Sequence, residues 1–285
     1  MRLAILIFLG VIFAGVAVFF FIIPAFRGEI AVSPFLSLGF LRVRWYGLLT
    51  ALAVLLGYIL AKKIAPKFGI EKNHLEKFLW YLVIFGFLGA RIYFVVFMWP
   101  YYGKHLLEIF QIWHGGLSLY GGLLGGFLGI VWYAKRYGQS FIRTLDFVAL
   151  VLPLSQSLGR WGNFFNQEAF GLPTNLPWKL YVSPEARPFE FLQEKYFHPT
   201  FLYESLWDLA VFGILLYLSQ KSPRKGFLAG SYLILYPLGR FFIEALRLDS
   251  FYLSSAVRVD QIASLLAMVF GIGIMFYFQR NEKQA

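Results

Sequence analysis

The sequence predicts an all-α, polytopic membrane protein built as a helical bundle of about eight spans. Three observations predict it. The 285 residues are 59% hydrophobic and 14% charged, with a mean hydropathy of +0.65, far from the balance of a soluble domain. Several apolar runs approach the roughly 20 residues that one helix needs to cross a hydrocarbon core about 30 Å thick. No stretch is both long and polar enough to make a separate soluble domain.

Spans are expected near residues 3–26, 45–61, 78–99, 117–134, 144–158, 203–218, 227–246 and 259–278. The first follows Met1 and Arg2, so a signal peptide competes for the same run. Its length to Pro24 and the lack of an A-x-A site after it favour a retained helix. The second ends at Lys62 and Lys63, and the third carries Arg91 well inside it. In the fourth, Gly121, Gly125 and Gly129 recur every four residues, the small-residue pattern that lets membrane helices approach closely. The fifth holds Pro153, which frees a carbonyl and is expected to kink or shorten the helix. An outer loop or head over 159–200, rich in proline, precedes the sixth span. The seventh carries ionisable residues, and the eighth runs into a basic tail.

Lys and Arg in short loops mark the cytoplasmic side. Lys62, Lys63, Lys67, Lys72 and Lys77 share one loop; Lys135, Arg136 and Arg143 another; Lys221, Arg224 and Lys225 a third; Arg280 and Lys283 the tail. Counting spans puts all four on one face. The carboxyl terminus and Arg2 are therefore expected inside, and the 159–200 loop outside.

The net charge of +11 suits basic loops beside anionic lipid, and nothing in the sequence suggests nucleic acid. The absence of cysteine excludes a disulfide framework, a thiolate metal site and an enzyme thioester. His74, His105, His114 and His198 lack metal-ligand spacing. Neither metal nor cofactor is expected.

Ionisable groups within spans are costly and mark candidate sites. Arg91 reads either as one of these or as a structural arginine capped by carbonyls. Tyr236, Arg240, Glu244 and Arg247 follow one another at helical spacings of four, four and three, which makes one polar stripe. Tyr120 and His114 sit near the outer mouth of the glycine-rich fourth span. The densest polar stretch is GRWGNFFNQEAFG, Gly159–Gly171, which follows an almost wholly apolar run. A third polar cluster, HPTFLYE at 198–204, meets the start of the sixth span.

GRWGNFFNQEAFG resembles the signature of the bacterial prolipoprotein diacylglyceryl transferase family, with Gly159, Arg160, Asn163, Phe164, Asn166, Glu168 and Gly171 at its fixed positions. RWYG at 44–47, GARIYF at 89–94, GGLSLYGG at 115–122, HPTFLYE at 198–204 and GRFFIEALR at 239–247 resemble further family blocks in the family's order. The resemblance implies a seven-helix core over 41–285 in the bacterial inner membrane. Residues 1–40 then form an extra amino-terminal helix and linker. The position of Tyr120 is a histidine in some members, so a histidine-base mechanism does not carry over.

What the resemblance implies chemically is transfer of the diacylglyceryl group of phosphatidylglycerol to the lipobox cysteine of a prolipoprotein signal peptide, forming a thioether and releasing glycerol phosphate. A thiol with a free pKa near 8.5 must ionise, and charge on a leaving phosphate must be stabilised. Arginine suits the second task through its fixed fork of donors. The expected catalytic residues are accordingly Arg160 and Arg240, with Glu168 and Glu244 orienting them or taking the proton, and Tyr120 as a hydrogen-bond donor. Asn163, Asn166, Gly171, Tyr46, Arg91, His198, Tyr203, Tyr236 and Arg247 are expected to line the substrate site. Lipid enters sideways from the outer leaflet in this reading. A transporter or flippase, and a lipid-binding scaffold, are the rival classes. No convincing internal repeat favours the transporter.

Overall fold

A computed structural model describes residues 18–221, 224–254 and 257–281. Most of the first expected span, Arg2 and Lys283 lie outside the described residues. Among the described residues seven long helices form: α1 (Trp45–Ile64), α2 (Lys72–Phe97), α3 (Leu119–Arg136), α4 (Phe141–Asn166), α5 (Thr200–Ser219), α6 (Phe227–Glu244) and α7 (Val259–Asn281). Each covers one of the apolar runs after the first.

Five stretches among the described residues are long and apolar enough to cross a membrane: Trp45–Phe68, Asn73–Phe97, Phe141–Asn166, Thr200–Ser219 and Val259–Phe278. α3 and α6 are shorter, at 18 residues each. Glycines with Lys135 and Arg136 in α3, and Arg240 with Glu244 in α6, dilute their apolar character.

Two expectations need correction. The fifth span is neither short nor broken, because α4 runs for 26 residues with Pro153 inside it. Proline removes one rung of the ladder, and apolar surroundings offer the released groups no reward for unwinding further. As a result the first half of the polar signature, through Asn166, is helical, and the outer segment starts at Gln167 rather than at 159. The chain is also not purely α. Three antiparallel two-stranded ladders pair β1 (Phe35–Leu38) with β2 (Leu41–Arg44), β3 (Leu180–Tyr181) with β4 (Tyr196–Phe197), and β5 (Tyr252–Ser254) with β6 (Val257–Arg258). They satisfy backbone donors and acceptors where helices stop.

The chain packs as two compact units. One comprises residues 1–55, 153–214 and 233–272, the other 56–152, 215–232 and 273–285. In the first unit, the core joins Ala25, Phe164, Phe170, Leu180, Val182, Phe197 and Phe201. Phe164 meets Phe201 with ring centroids 5.5 Å apart. This aromatic plug holds the outer segment against the end of α4 and the start of α5. Burying such rings contributes roughly 1.5–3 kcal/mol each.

In the second unit, α2 and α3 lie so close that glycine is required. A Cβ on Gly121 would strike the carbonyl oxygen of Gly89, and one on Gly125 that of Phe85. The four-residue glycine repeat is therefore the contact stripe. Asp146 of α4, almost fully buried, accepts the backbone N–H groups of Gly226 at 2.7 Å and Ala229 at 2.9 Å. It caps the orphan donors at the start of α6 from a neighbouring helix.

Candidate functional site

The first unit concentrates its charge around one carboxylate. Glu204, on α5, is 3% exposed, and three guanidinium groups converge on it. Arg160 Nε of α4 lies 2.7 Å from its Oε2, and Arg247 Nη1, just past α6, lies 2.7 Å from Oε1. Arg240 Nη1 of α6 pairs with the same Oε1. A buried carboxylate is tolerated only when paired and hydrogen-bonded; here two segments far from it in sequence, the end of α4 and the end of α6, supply the partners.

A second tier of carboxylates surrounds the arginines. Arg240 Nη2 contacts Glu244 Oε2 at 2.8 Å and Asp260 Oδ2 at 2.7 Å. Arg247 grips Asp249 with two nitrogens, Nε to Oδ1 at 2.9 Å and Nη2 to Oδ2. Ser250 Oγ donates to Glu244 Oε1 at 2.6 Å. Helical spacing explains why the stripe works: positions 240 and 244 share a face, one turn apart. Past the end of α6 the chain turns, with Leu246 and Arg247 N–H groups bonded back to Ile243 and Glu244 carbonyls. This turn carries Arg247 back onto the cluster.

Accessibility separates the three arginines. Arg160 keeps 23% of its side chain exposed, Arg240 16% and Arg247 9%. Arg160 Nη2 also donates to the Tyr236 hydroxyl at 3.3 Å. Arg240, expected to share the phosphate with Arg160, is instead engaged by Glu204, Glu244 and Asp260. Arg160 is the cluster arginine most available to an incoming anion.

The rest of the signature forms a second polar group beside the helix end. Gln167 and Ala169 adopt left-handed backbone conformations, with φ of 50° and 56°, uncommon for residues with a Cβ. The turn sends Glu168 N–H back to the Asn163 carbonyl at 3.1 Å. Glu168 Oε1 then accepts from Asn163 Nδ2 at 2.9 Å and Asn166 Nδ2 at 3.1 Å. Glu168 therefore orients the two asparagines rather than an arginine, contrary to expectation.

Gly171 is a packing position rather than a ligand-facing one. Its N–H donates to the His198 carbonyl at 2.8 Å, and Leu172 N–H to the Leu246 carbonyl at 2.8 Å. A Cβ there would come within 2.7 Å of the Leu246 oxygen. This backbone seam ties the signature to the HPTFLYE and GRFFIEALR segments. Gly162 is likewise pressed by a candidate residue: a Cβ on it would meet the Tyr46 ring at 2.5 Å. Tyr203 accepts from Trp178 Nε1 at 2.8 Å and meets His198 Nδ1 at 3.2 Å. Burial lowers the His198 pKa below its ordinary value.

Arg91 and Tyr120 belong to the other unit. Arg91 donates to the carbonyls of Ile109 (2.8 Å), Gly115 (2.8 Å), Gly116 (2.9 Å) and Glu108 (2.6 Å). Its guanidinium is thus committed to the chain's own backbone, and the structural reading replaces the expected substrate contact. Tyr120 stands in the first turn of α3, half exposed.

Sequence reasoning passed over Glu204, Asp208, Asp249 and Asp260. Glu204 and Asp208 lie one turn apart in an apolar helix, and both are buried. Two acids at that spacing inside a span were the available signal.

A sequence profile of the prolipoprotein diacylglyceryl transferase family matches residues 34–277. A phosphatidylglycerol–prolipoprotein diacylglyceryl transferase of Fervidobacterium nodosum is 44% identical over 260 residues, covering 90% of this chain and 89% of the relative. The protein of the same description from Thermosynechococcus vestitus is 44% identical over 248 residues, covering 86% and 92%. One from Prochlorococcus marinus is 41% identical over 286 residues, covering 88% and 95%.

Proposed function

The chain belongs to the prolipoprotein diacylglyceryl transferase family, and on that premise we propose that the arginine–carboxylate cluster around Glu204 is the seat of its reaction. The protein is an enzyme, a phosphatidylglycerol–prolipoprotein diacylglyceryl transferase of the membrane. The acceptor is the thiol of a lipobox cysteine in the prolipoprotein signal peptide. Its sulfur attacks the glyceryl carbon esterified to phosphate; the C–S bond forms, the C–O bond breaks, and glycerol phosphate leaves with the bonding pair.

The observation that carries this reading is the unequal accessibility of three arginines sharing one buried carboxylate. Arg160 grips the phosphate and stabilises the charge that grows on it as the ester bond breaks. Arg240 and Arg247 act at one remove, holding Glu204 and through it the Arg160 guanidinium. Preorganisation of this kind avoids reorientation during the reaction. Asn163 and Asn166, each with one amide hydrogen bonded to Glu168, offer the other to phosphate or glycerol oxygens. Tyr120 donates its hydroxyl to the head group.

The thiol proton leaves to water. Glu204 and Glu244 are committed to guanidinium groups, and Glu168 to two amides, so none is a good base. A phenol with reference pKa near 10 is no better at neutral pH.

The topology that accommodates this chemistry has α1 to α7 spanning a bacterial inner membrane. The 167–199 segment then faces the periplasm with the site at the outer leaflet, and the carboxyl terminus is cytoplasmic. Labelling of cysteines placed singly at Lys179 and Lys62, by an impermeant reagent on intact cells, tests it: Lys179 should react and Lys62 should not. The reaction itself is tested by incubating the purified chain with phosphatidylglycerol and a lipobox peptide. A thioether-linked diacylglyceryl peptide is expected, and its absence from a folded preparation would overturn the reading.

A further inference from the structure

Within the second unit lies a cavity of about 460 Å³ lined by Lys67, Phe68, Arg143, Asp146, Ser219, Gln220 and Leu228. We propose that it binds the phosphate of an anionic phospholipid head group from the cytoplasmic leaflet, a second lipid site separate in chemistry from transfer. The side assignment rests on the topology proposed above; the site does not depend on the transferase reading.

Four chain ends meet there. Lys67 follows the last turn of α1, Arg143 is in the first turn of α4, Ser219 closes α5, and Leu228 is in the first turn of α6. Lys67 reaches the cavity with no charged partner among the described residues, and Arg143 acts electrostatically on the Asp146 carboxylate across it. Lys67 is exposed and Arg143 half-buried. The acidic group on the wall, Asp146, is otherwise engaged: each of its oxygens takes a backbone N–H at the start of α6. Two cations thus outweigh one carboxylate whose oxygens already accept backbone N–H groups, with Gln220 supplying neutral donors.

The volume lies within the roughly 300–1,000 Å³ of small-ligand pockets, large enough for a phosphate with its glycerol. Arginine and lysine together favour phosphate, the first as a fork and the second as a point charge. Basic pockets between helix ends at the cytoplasmic face are suited to anionic head groups. The shared chemistry, a phosphate anion, also admits free inorganic phosphate, and the test separates the two sources.

Native mass spectrometry of the full chain, released from neutral detergent and titrated with dioleoyl phosphatidic acid, reads the site directly. The Lys67→Gln/Arg143→Gln protein should bind its tightest lipid on the order of tenfold more weakly than the native chain, from loss of two head-group contacts. A Lys62→Gln/Lys63→Gln protein, with the same charge removed outside the cavity, should match the native chain. Inorganic phosphate that displaces the lipid at millimolar levels would assign the site to the soluble anion; lipid retained in its presence assigns it to the head group. Melting of each variant without lipid checks the fold. Should the double variant prove unstable, Lys67→Gln alone, at an exposed position, should still weaken binding about threefold. Equal loss in both double variants, or no loss at Lys67 and Arg143, would overturn the proposal.

Discussion

Arg160 Nε lies 2.7 Å from Glu204 Oε2, and this contact joins the family-signature helix to the helix that follows the outer segment. Glu204 receives Arg240 and Arg247 on its other oxygen. One carboxylate thereby fixes three cations that would otherwise repel one another at close range in a poorly polar setting. Its charge, not merely its shape, is what the cluster requires.

Glu204→Gln keeps the shape and removes the charge. Breaking a buried ion pair by deleting one partner costs about 3–5 kcal/mol, so thermal unfolding in detergent should begin several degrees lower, with transfer activity lost as well. An unchanged melting temperature would mean that the guanidinium groups do not depend on this carboxylate.

The glycine stripe makes paired predictions of opposite sign. Gly125→Ala drives a methyl into the Phe85 carbonyl of α2 and should destabilise by about 1–3 kcal/mol, as overpacking does. Gly126→Ala meets nothing within 4 Å and should be neutral or stabilising by up to about 1 kcal/mol through helix propensity. Melting curves of the two proteins decide this, and equal behaviour would contradict the close α2–α3 contact.

His198 supplies a pH dependence. Its folded pKa is lowered by burial, so the unfolded chain binds a proton at higher pH than the folded one. Stability should therefore fall as pH drops through the ordinary histidine range near 6.5. Melting temperature followed from pH 7.5 downward should decline less steeply in His198→Gln. Identical slopes would exclude this contribution.

Tyr120→Phe removes a hydroxyl while leaving the ring at the start of α3. Transfer should weaken several-fold, within the about 0.5–1.5 kcal/mol of one neutral hydrogen bond, and should still rise with pH as the peptide thiol ionises. Loss of the pH-dependent limb with lipid affinity intact would instead make Tyr120 the proton acceptor.

The long helices were legible because lipid enforces one rule, apolar runs of spanning length, and the sequence displays it after each basic loop. The full length of α4 was not legible at Pro153, because a missing rung marks a weak point while the larger cost of unwinding backbone away from water keeps the helix continuous. The stripe Tyr236, Arg240, Glu244 and Arg247 was legible from helical period alone. Its hub was not: Glu204 closed a block whose histidine and tyrosine drew attention. Asp249 reaches the cluster through the turn past α6 and Asp260 from the first turn of α7, and no periodicity announces either. Glu168 was assigned to arginines because opposite charges suggest pairing. The left-handed turn at Gln167 instead delivers it to Asn163 and Asn166. Arg91 shows the converse, an arginine inside a candidate span that looks functional in sequence and donates to carbonyls 17 to 25 residues away.

In the proposed reaction Arg160 binds the leaving phosphate through the geometry of its fork while Glu204 holds it in place. The most direct measurement is the rate of diacylglyceryl transfer from phosphatidylglycerol to a lipobox peptide by Arg160→Lys, at matched protein level and with its melting temperature recorded alongside. Lysine keeps the charge but cannot hold Glu204 and a phosphate with separate nitrogens in one plane. Transfer should fall by about 10²–10³-fold, the size of a missing transition-state donor, in a protein that remains folded. Near-native transfer by that variant would contradict this role for Arg160.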